Sequence, residues 1–305
     1  MFTYPLLTPT EQANLPSLTI TPTALPSQFE DSTHQVFLCD TVDGRMVLKV
    51  CDETAVEKSG FWQGANLLFG ANFPNNLAQI EHTHELLSEQ GLYAVPDFMA
   101  SSRSDSEHGF VLTRFVEGVD VTAEQVTDAM VLQLAEHIAQ LHQQVQPTWG
   151  RLHIESHKPT YEATEWGKRL QATLAALADK SAVSIPESIL QDVLSRASQL
   201  QETEFVPMML DLRWDQFRRI GNGQAKEQSG ELALIDLDAF VIAPRALDLV
   251  LLKYILTPPQ FALFKATYTT SHDWPDYSAQ KPCYQLLLFL MQVLGETDLA
   301  QWVER

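Results

Sequence analysis

Apolar and polar residues alternate in two short runs near the start of the chain, Gln35-Val36-Phe37-Leu38-Cys39 and Met46-Val47-Leu48-Lys49-Val50. The segment joining them holds Asp43-Gly44, a dipeptide suited to tight hairpin turns, so an antiparallel strand pair is predicted. Leu77, Ile80, His84 and Leu87 then recur at helical spacing up to Gly91, which predicts an amphipathic helix with a glycine cap. Tyr93-Ala94-Val95-Pro96 and Gly109-Phe110-Val111-Leu112-Thr113 read as two further strands, so the first hundred or so residues are expected to be mostly strand.

After Val116-Glu117-Gly118 the period becomes helical, with one face marked by Val131, Leu134, Ile138 and Leu141 and another by Trp166, Leu170, Leu174 and Leu177. One interruption stands out. Phe205 to Leu210 and Phe217 to Ile220 read as extended, Gly221-Asn222-Gly223 turns the chain, and Glu231-Leu232-Ala233-Leu234-Ile235 returns as a strand. Asp211 and Asp215 precede this hairpin, and Asp236 and Asp238 follow it. A strand-rich half, a short connector and a helical half with an acid-flanked hairpin together predict two lobes with a cleft between them.

Composition narrows the possible functions. Of 305 residues, 20 are Lys or Arg and 39 are Asp or Glu, a formal charge of -19. Such a surface disfavours nucleic acid and anionic membranes, which are bound by neutralising phosphate, and it attracts cationic partners. No apolar run approaches the roughly 20 residues that span a bilayer, and the first residues lack the basic and apolar regions of a secretory signal. A soluble, cytoplasmic protein is expected. The three cysteines, Cys39, Cys51 and Cys283, lack metal or redox spacing and are expected to be reduced packing residues. His82 and His84 lie two apart on a helix and so diverge, which argues against zinc.

A hairpin from Phe217 to Ile235 places the loops before and after it side by side, so Asp211, Gln216 and Asp236 should converge. Two carboxylates and an amide suit a hard divalent cation such as Mg²⁺, which takes few protein oxygens and completes its shell with water and phosphate. The bland alternative is a pair of exposed acids at a hairpin end.

The segment from Leu210 to Phe217, then Leu234-Ile235-Asp236-Leu237-Asp238, then Pro244-Arg245-Ala246-Leu247-Asp248-Leu249, resembles the aminoglycoside phosphotransferase and choline kinase group of protein-kinase-like enzymes. That group carries His-Gly-Asp-x-x-x-x-Asn, a strand ending in Ile-Asp, and a downstream Asp-Leu. Val47-Leu48-Lys49-Val50 stands where its phosphate-binding lysine strand belongs, Leu112 to Gly118 resembles its hinge, and Ile138-Ala139-Gln140-Leu141-His142 its Leu-His helix.

The resemblance implies an α+β, protein-kinase-like fold, with a nucleotide-binding lobe over residues 1–115, a hinge at 116–120 and a helical lobe over 121–305. It implies ATP and Mg²⁺ as cofactors and a small-molecule hydroxyl as acceptor, which the charge of -19 expects to be cationic. Lys49 would contact the nucleotide phosphates and be held by Glu81, or by Glu85 one turn later. Phe115 and Val116 would receive the adenine through their backbone. Asp236 and Gln216 would ligate Mg²⁺, Asp211 would act as general base, and Arg213 would stabilise charge near the γ-phosphate. Asp248 would be a structural acid bonding the catalytic-loop backbone.

The pattern departs from the group in three places. Met209 and Leu210 replace the His-Gly pair, Gln216 replaces Asn, and Leu25 to His34, where a glycine-rich nucleotide loop belongs, holds no glycine and carries Glu30 and Asp31. A kinase-like module that binds or regulates without phosphoryl transfer is therefore the alternative reading.

Overall fold

The computed structural model describes residues 2–27, 32–103, 106–152, 161–221 and 231–304. Residues 28–31 of the glycine-free segment and 222–230 of the expected turn lie outside them. Strands β1 (Thr23–Leu25), β2 (His34–Thr41), β3 (Gly44–Cys51), β4 (Phe98–Ser101) and β5 (Phe110–Arg114) form an antiparallel sheet in the order β1-β2-β3-β5-β4. The expected hairpin is β2–β3, in which Thr41 pairs with Gly44 around Val42-Asp43. Gly44 has φ +111°, a conformation that favours glycine.

Strand alternation assigns the two faces of this sheet. Phe37, Cys39, Met46, Leu48, Val50, Phe110 and Leu112 pack together under Tyr4 and Leu7. Lys49 falls between Leu48 and Val50 and therefore projects from the opposite face.

Two helices interrupt the region expected to be mostly strand: α1 (Glu53–Lys58) and α2 (Gly60–Phe69). Their starts are chemically specified, because Asp52 Oδ1 accepts from the Ala55 N–H at 3.0 Å and Ser59 Oγ from the Trp62 N–H at 3.3 Å. Trp62, Ala65, Leu68 and Phe69 give α2 a buried stripe. Helix α3 (Ile80–Gln90) ends at Gly91 with φ +65°, but Leu77 belongs to a preceding 3-10 turn, Asn75–Gln79. The expected strand at Tyr93–Pro96 reduces to one bridge between Ala94 and Ala233.

The rest of the chain is mainly helical: α4 (Asp128–Leu141), α5 (Trp166–Lys180), α6 (Glu187–Gln199), α7 (Arg245–Ile255), α8 (Pro258–Tyr268), α9 (Lys281–Leu290) and α10 (Leu299–Glu304). Within it, β6 (Val119–Asp120), β7 (Thr148–Arg151), β8 (Tyr161–Glu162), β9 (Phe205–Met209), β10 (Phe217–Ile220), β11 (Glu231–Leu234) and β12 (Phe240–Pro244) form two small sheets. The acid-flanked hairpin is β10–β11, and β6 joins it to give the order β11-β10-β6. The second sheet, β8-β7-β12-β9, brought in strands that the sequence pattern had not marked. Every residue of β12 is buried, so it has no alternation to read.

This is an α+β fold, an antiparallel sheet region followed by a helical part. One apolar cluster runs from Val56 and Leu68 through Leu134, Leu170 and Leu247 to Trp302, so α2 shares the core of the helical part. Gly64 allows close packing there, since a Cβ on it would lie 2.5 Å from Met291 Cγ. All three cysteines are free and buried. Among the described residues no helix is long and apolar enough to cross a membrane.

Candidate active site

Strand pairing assembles the acid loops. Phe240 pairs with Met209, the Leu210 N–H donates to the Ala239 carbonyl at 3.0 Å, and the Ile235 N–H donates to the Gln216 carbonyl at 2.9 Å. The loops bearing Asp211 and Asp236 are thereby held side by side. From the sheet above, Lys49 Nζ reaches Asp236 Oδ1 at 2.8 Å, with the two side chains 20% and 26% exposed. Gln216 Nε2 donates to Asp211 Oδ2 at 3.2 Å, while Asp211 Oδ1 is buried with no hydrogen-bond partner among the described residues. Arg213 Nε lies 3.4 Å from Asp215 Oδ1, so this guanidinium sits beside the loop's second acid.

The charges in this cluster act on one another. Burial, reinforced by the nearby Asp236 charge, pushes the Asp211 carboxyl up to about 7. Lys49 is held above its ordinary value: burial opposes its charge, but Asp236 and Asp238 outweigh burial. Asp238 is lowered to about 2, because Lys49 and His34 overcome the cost of burying it. His34 Nε2 lies 3.2 Å from Asp238 Oδ2 and ties the first residue of β2 to this loop.

Several expectations need correction. Lys49 is paired with Asp236 and not with Glu81 or Glu85, which are both exposed on α3, Glu85 being bound to His82 at 3.1 Å. The side chain that α3 turns inward is His84, whose Nδ1 lies 2.9 Å from the Pro96 carbonyl and whose pKa is lowered by burial. The apolar stripe already carried this signal. His84 shares the spacing of Ile80 and Leu87, whereas Glu81 and Glu85 are each rotated off it by about 100°. Asp238 and His34 were not singled out, since a single acid or histidine beside a strand has no portable spacing. Asp248 is wholly buried, but its partner is His142 Nε2 at 3.2 Å and not the catalytic-loop backbone. Met209 and Leu210 are buried apolar residues because β9 is covered on both faces.

The linker after β5 carries Phe115 and Val116. The Phe115 N–H donates to the Arg45 carbonyl at 3.0 Å, and the Val116 carbonyl accepts from Arg218 Nη1 at 2.7 Å. Part of the backbone expected to receive a base is therefore engaged within the chain.

A sequence profile of the phosphotransferase enzyme family (APH) matches residues 27–207, more than half of the chain. The chain belongs to this family. The phosphotransferase match spans Lys49, Glu81, Phe115 and Val116 and ends before Asp211, so the acids of the hairpin are known here by their geometry. Solved structures of similar shape include a candidate fructosamine-3-kinase from Haemophilus somnus 129PT, with 13% identity, a TM-score of 0.60, and coverage of 97% of this chain and 94% of the other. The macrolide 2'-phosphotransferase of Brachybacterium faecium gives 12% identity, 0.56, 96% and 94%, and the choline kinase of Streptococcus pneumoniae 15%, 0.57, 94% and 90%. At these identities the likeness is one of fold. No curated protein matches the chain in sequence.

The oxygens present suit Mg²⁺. Asp211 Oδ1 is an unspent buried acceptor, and Asp236 and Gln216 bring hard oxygen atoms beside it. Among the described residues no three His, Cys, Asp or Glu side chains gather as a self-sufficient metal cage.

Proposed function

We propose that this phosphotransferase is a small-molecule kinase that moves the γ-phosphate of ATP to a hydroxyl group of an acceptor. The observation that carries the reading is the Lys49–Asp236 contact at 2.8 Å beside Asp211, whose Oδ1 is buried, a cation and two carboxylates drawn from opposite parts of the fold. Residues 1–115 act as the nucleotide lobe, 116–120 as the hinge and 121–305 as the lobe that holds the acceptor.

Lys49 leaves Asp236 to meet nucleotide phosphate, and Phe115 and Val116 lie along the base. Asp236 and Gln216 would hold Mg²⁺, which when bound would neutralise charge on the phosphates. Asp211 orients the acceptor hydroxyl and takes its proton as the acceptor oxygen bonds to the γ-phosphorus and the bond to the β-phosphate oxygen breaks, releasing ADP. A carboxylate raised toward neutrality is a stronger base than an exposed one. Arg213 stabilises charge on the transferred group. A net charge of -19 favours a cationic acceptor, and the reaction belongs in the cytoplasm, where ATP is supplied.

A second reading has its own observation: Gln216 donates to Asp211 and Lys49 to Asp236, so the site is closed on itself, as in a module that no longer transfers phosphate. Calorimetric titration of ATP with and without Mg²⁺, followed by a screen of hydroxyl acceptors, separates the two. Metal-dependent binding and ADP release with an acceptor support the kinase. Binding that ignores metal, with no turnover, supports the module.

A further inference from the structure

His34, the first residue of β2, ends the segment in which no glycine occurs. Its surroundings fix it in place. The Asp52 N–H donates to the Thr33 carbonyl at 2.9 Å, Trp62 Nε1 donates to Thr33 Oγ1 at 3.1 Å, and the Phe73 ring meets the imidazole edge-on with centroids 5.6 Å apart. Helix α2 and the connector after it thereby hold the imidazole.

Strand register shows what His34 faces. Val36 pairs with Lys49 and His34 with Cys51, so these four side chains project from one face of the sheet, with His34 a diagonal neighbour of Lys49 at about 7–8 Å. From that face Lys49 meets Asp236 at 2.8 Å and His34 meets Asp238 at 3.2 Å. Two basic side chains are thus set against two acids of one short segment. Burial opposes a charge on His34, but Cys51 and Asp238 beside it raise its pKa to about 10. Neither His34 Nε2 nor Asp238 Oδ2 makes a well-aligned hydrogen bond among the described residues, so the pair is held by charge and the imidazole N–H is unspent. Arg45 stands at the linker end of β3, since its carbonyl accepts from the Phe115 N–H; Lys49 comes next along the strand, and the Cys51–His34 pair lies beyond it.

We propose that His34 is a second phosphate-binding cation, meeting the part of the nucleotide's phosphate chain that lies beyond Lys49 from the base. The inference rests on the reading of Lys49 as the phosphate lysine and of the linker as the place of the base. A chain of two or three phosphates carries anionic oxygens along its whole length, so it draws Lys49 from Asp236 and His34 from Asp238 together. A glycine-rich segment would offer phosphate its backbone N–H groups, and here a side chain supplies the positive charge instead.

Calorimetric titration of the full chain with adenosine, ADP and ATP in the presence of Mg²⁺ tests this, for the wild type, His34→Gln, His34→Lys and Asp238→Asn. His34→Gln should weaken ATP binding by about tenfold, ADP binding by less and adenosine binding by less than about twofold, because the loss grows with the phosphate that reaches past Lys49. His34→Lys restores a cation and should keep ATP within about threefold of the wild type. Asp238→Asn removes the acid that competes for His34 and should leave ATP binding as tight as in the wild type or tighter. A His34→Gln protein that melts like the wild type and keeps its ratio of ATP to adenosine affinity overturns the proposal. So does an equal loss of ATP affinity in His34→Gln and Asp238→Asn, which would make the pair a brace for the acid loop. If the glutamine variant does not fold, His34→Asn is read by the same ratio. A wild type that binds none of the three, or binds ATP no tighter than adenosine, instead overturns the kinase reading beneath, an outcome distinct from phosphate-dependent binding that ignores His34.

Discussion

Two clusters in this protein pair an acid with a basic side chain, and they differ in their access to solvent. In the hairpin cluster, Lys49 and Asp236 keep 20% and 26% of their side chains exposed, and Asp211 retains a buried oxygen without a partner. Between α4, α7 and α8, His142 is sealed at 0% exposure. Its Nδ1 lies 2.8 Å from the Tyr268 hydroxyl and its Nε2 3.2 Å from Asp248 Oδ2. Burial lowers the pKa of His142, so it is a neutral bridge holding three helices in register. Similar chemical groups thus give a solvent-accessible site in one place and a sealed structural joint in the other. Each cluster holds one buried carboxylate oxygen without a hydrogen-bond partner among the described residues, Asp211 Oδ1 and Asp248 Oδ1, so access to solvent separates the two, not residue type.

The strongest way to break this comparison is to exchange the two kinds of failure. Asp211→Asn should lower turnover by about 10²–10⁴-fold with an acceptor in hand, while Mg²⁺-dependent nucleotide binding and the melting temperature stay near wild type. Turnover equal to wild type removes Asp211 as the base. Asp248→Asn should do the reverse. Replacing the carboxylate that faces His142 with a neutral amide, which also brings an NH2 donor into this sealed joint, should cost roughly 2–3 kcal/mol of stability, visible as a lower midpoint in denaturant, with the nucleotide affinity of the folded fraction kept.

Acid sharpens the same contrast. His137 is buried on α4 with Nδ1 unpartnered and packs 4.6 Å from the Tyr93 ring, and burial lowers its pKa to about 3. Its folded value lies below the unfolded one of about 6.5, so the unfolded chain binds the proton first. The resulting stability is complete above about pH 6.5 and is lost as pH falls toward 3. At pH 5 the loss from this group is about 2 kcal/mol. Urea titrations at pH 7 and pH 5 should show it, and His137→Gln should flatten the difference. A variant as acid-sensitive as wild type would assign the loss to other groups.

The smallest expected effect tests the corrected partner of Lys49. Glu81→Gln should change nucleotide affinity by less than about twofold, because the carboxylate is exposed on α3 and Lys49 is paired with Asp236 instead. A tenfold loss would mean that α3 swings when nucleotide binds and brings Glu81 to Lys49.

Much of this molecule was legible in its one-dimensional pattern. The period-two runs around Asp43-Gly44 specify a turn and a register with their own local residues. The glycine at 91 ends a helix whose stripe is written in Ile80, His84 and Leu87. These features depend on neighbours a few residues apart, and such contacts exist whatever the rest of the chain does. Short, fully buried strands such as β12 were not legible, because burial on both faces erases the alternation that marks a strand. Charge partners were the least legible of all. Asp236 was visible as an acid after a strand, but its contact with Lys49 joins residues far apart in the chain, and so does that of Arg218 with Val116. The sequence by itself determined which residues are able to form strands, helices and ion pairs. The tertiary structure decided which carboxylate meets which cation, because partner choice follows from which loops the sheet pairing brings within about 3–4 Å and which it leaves in water.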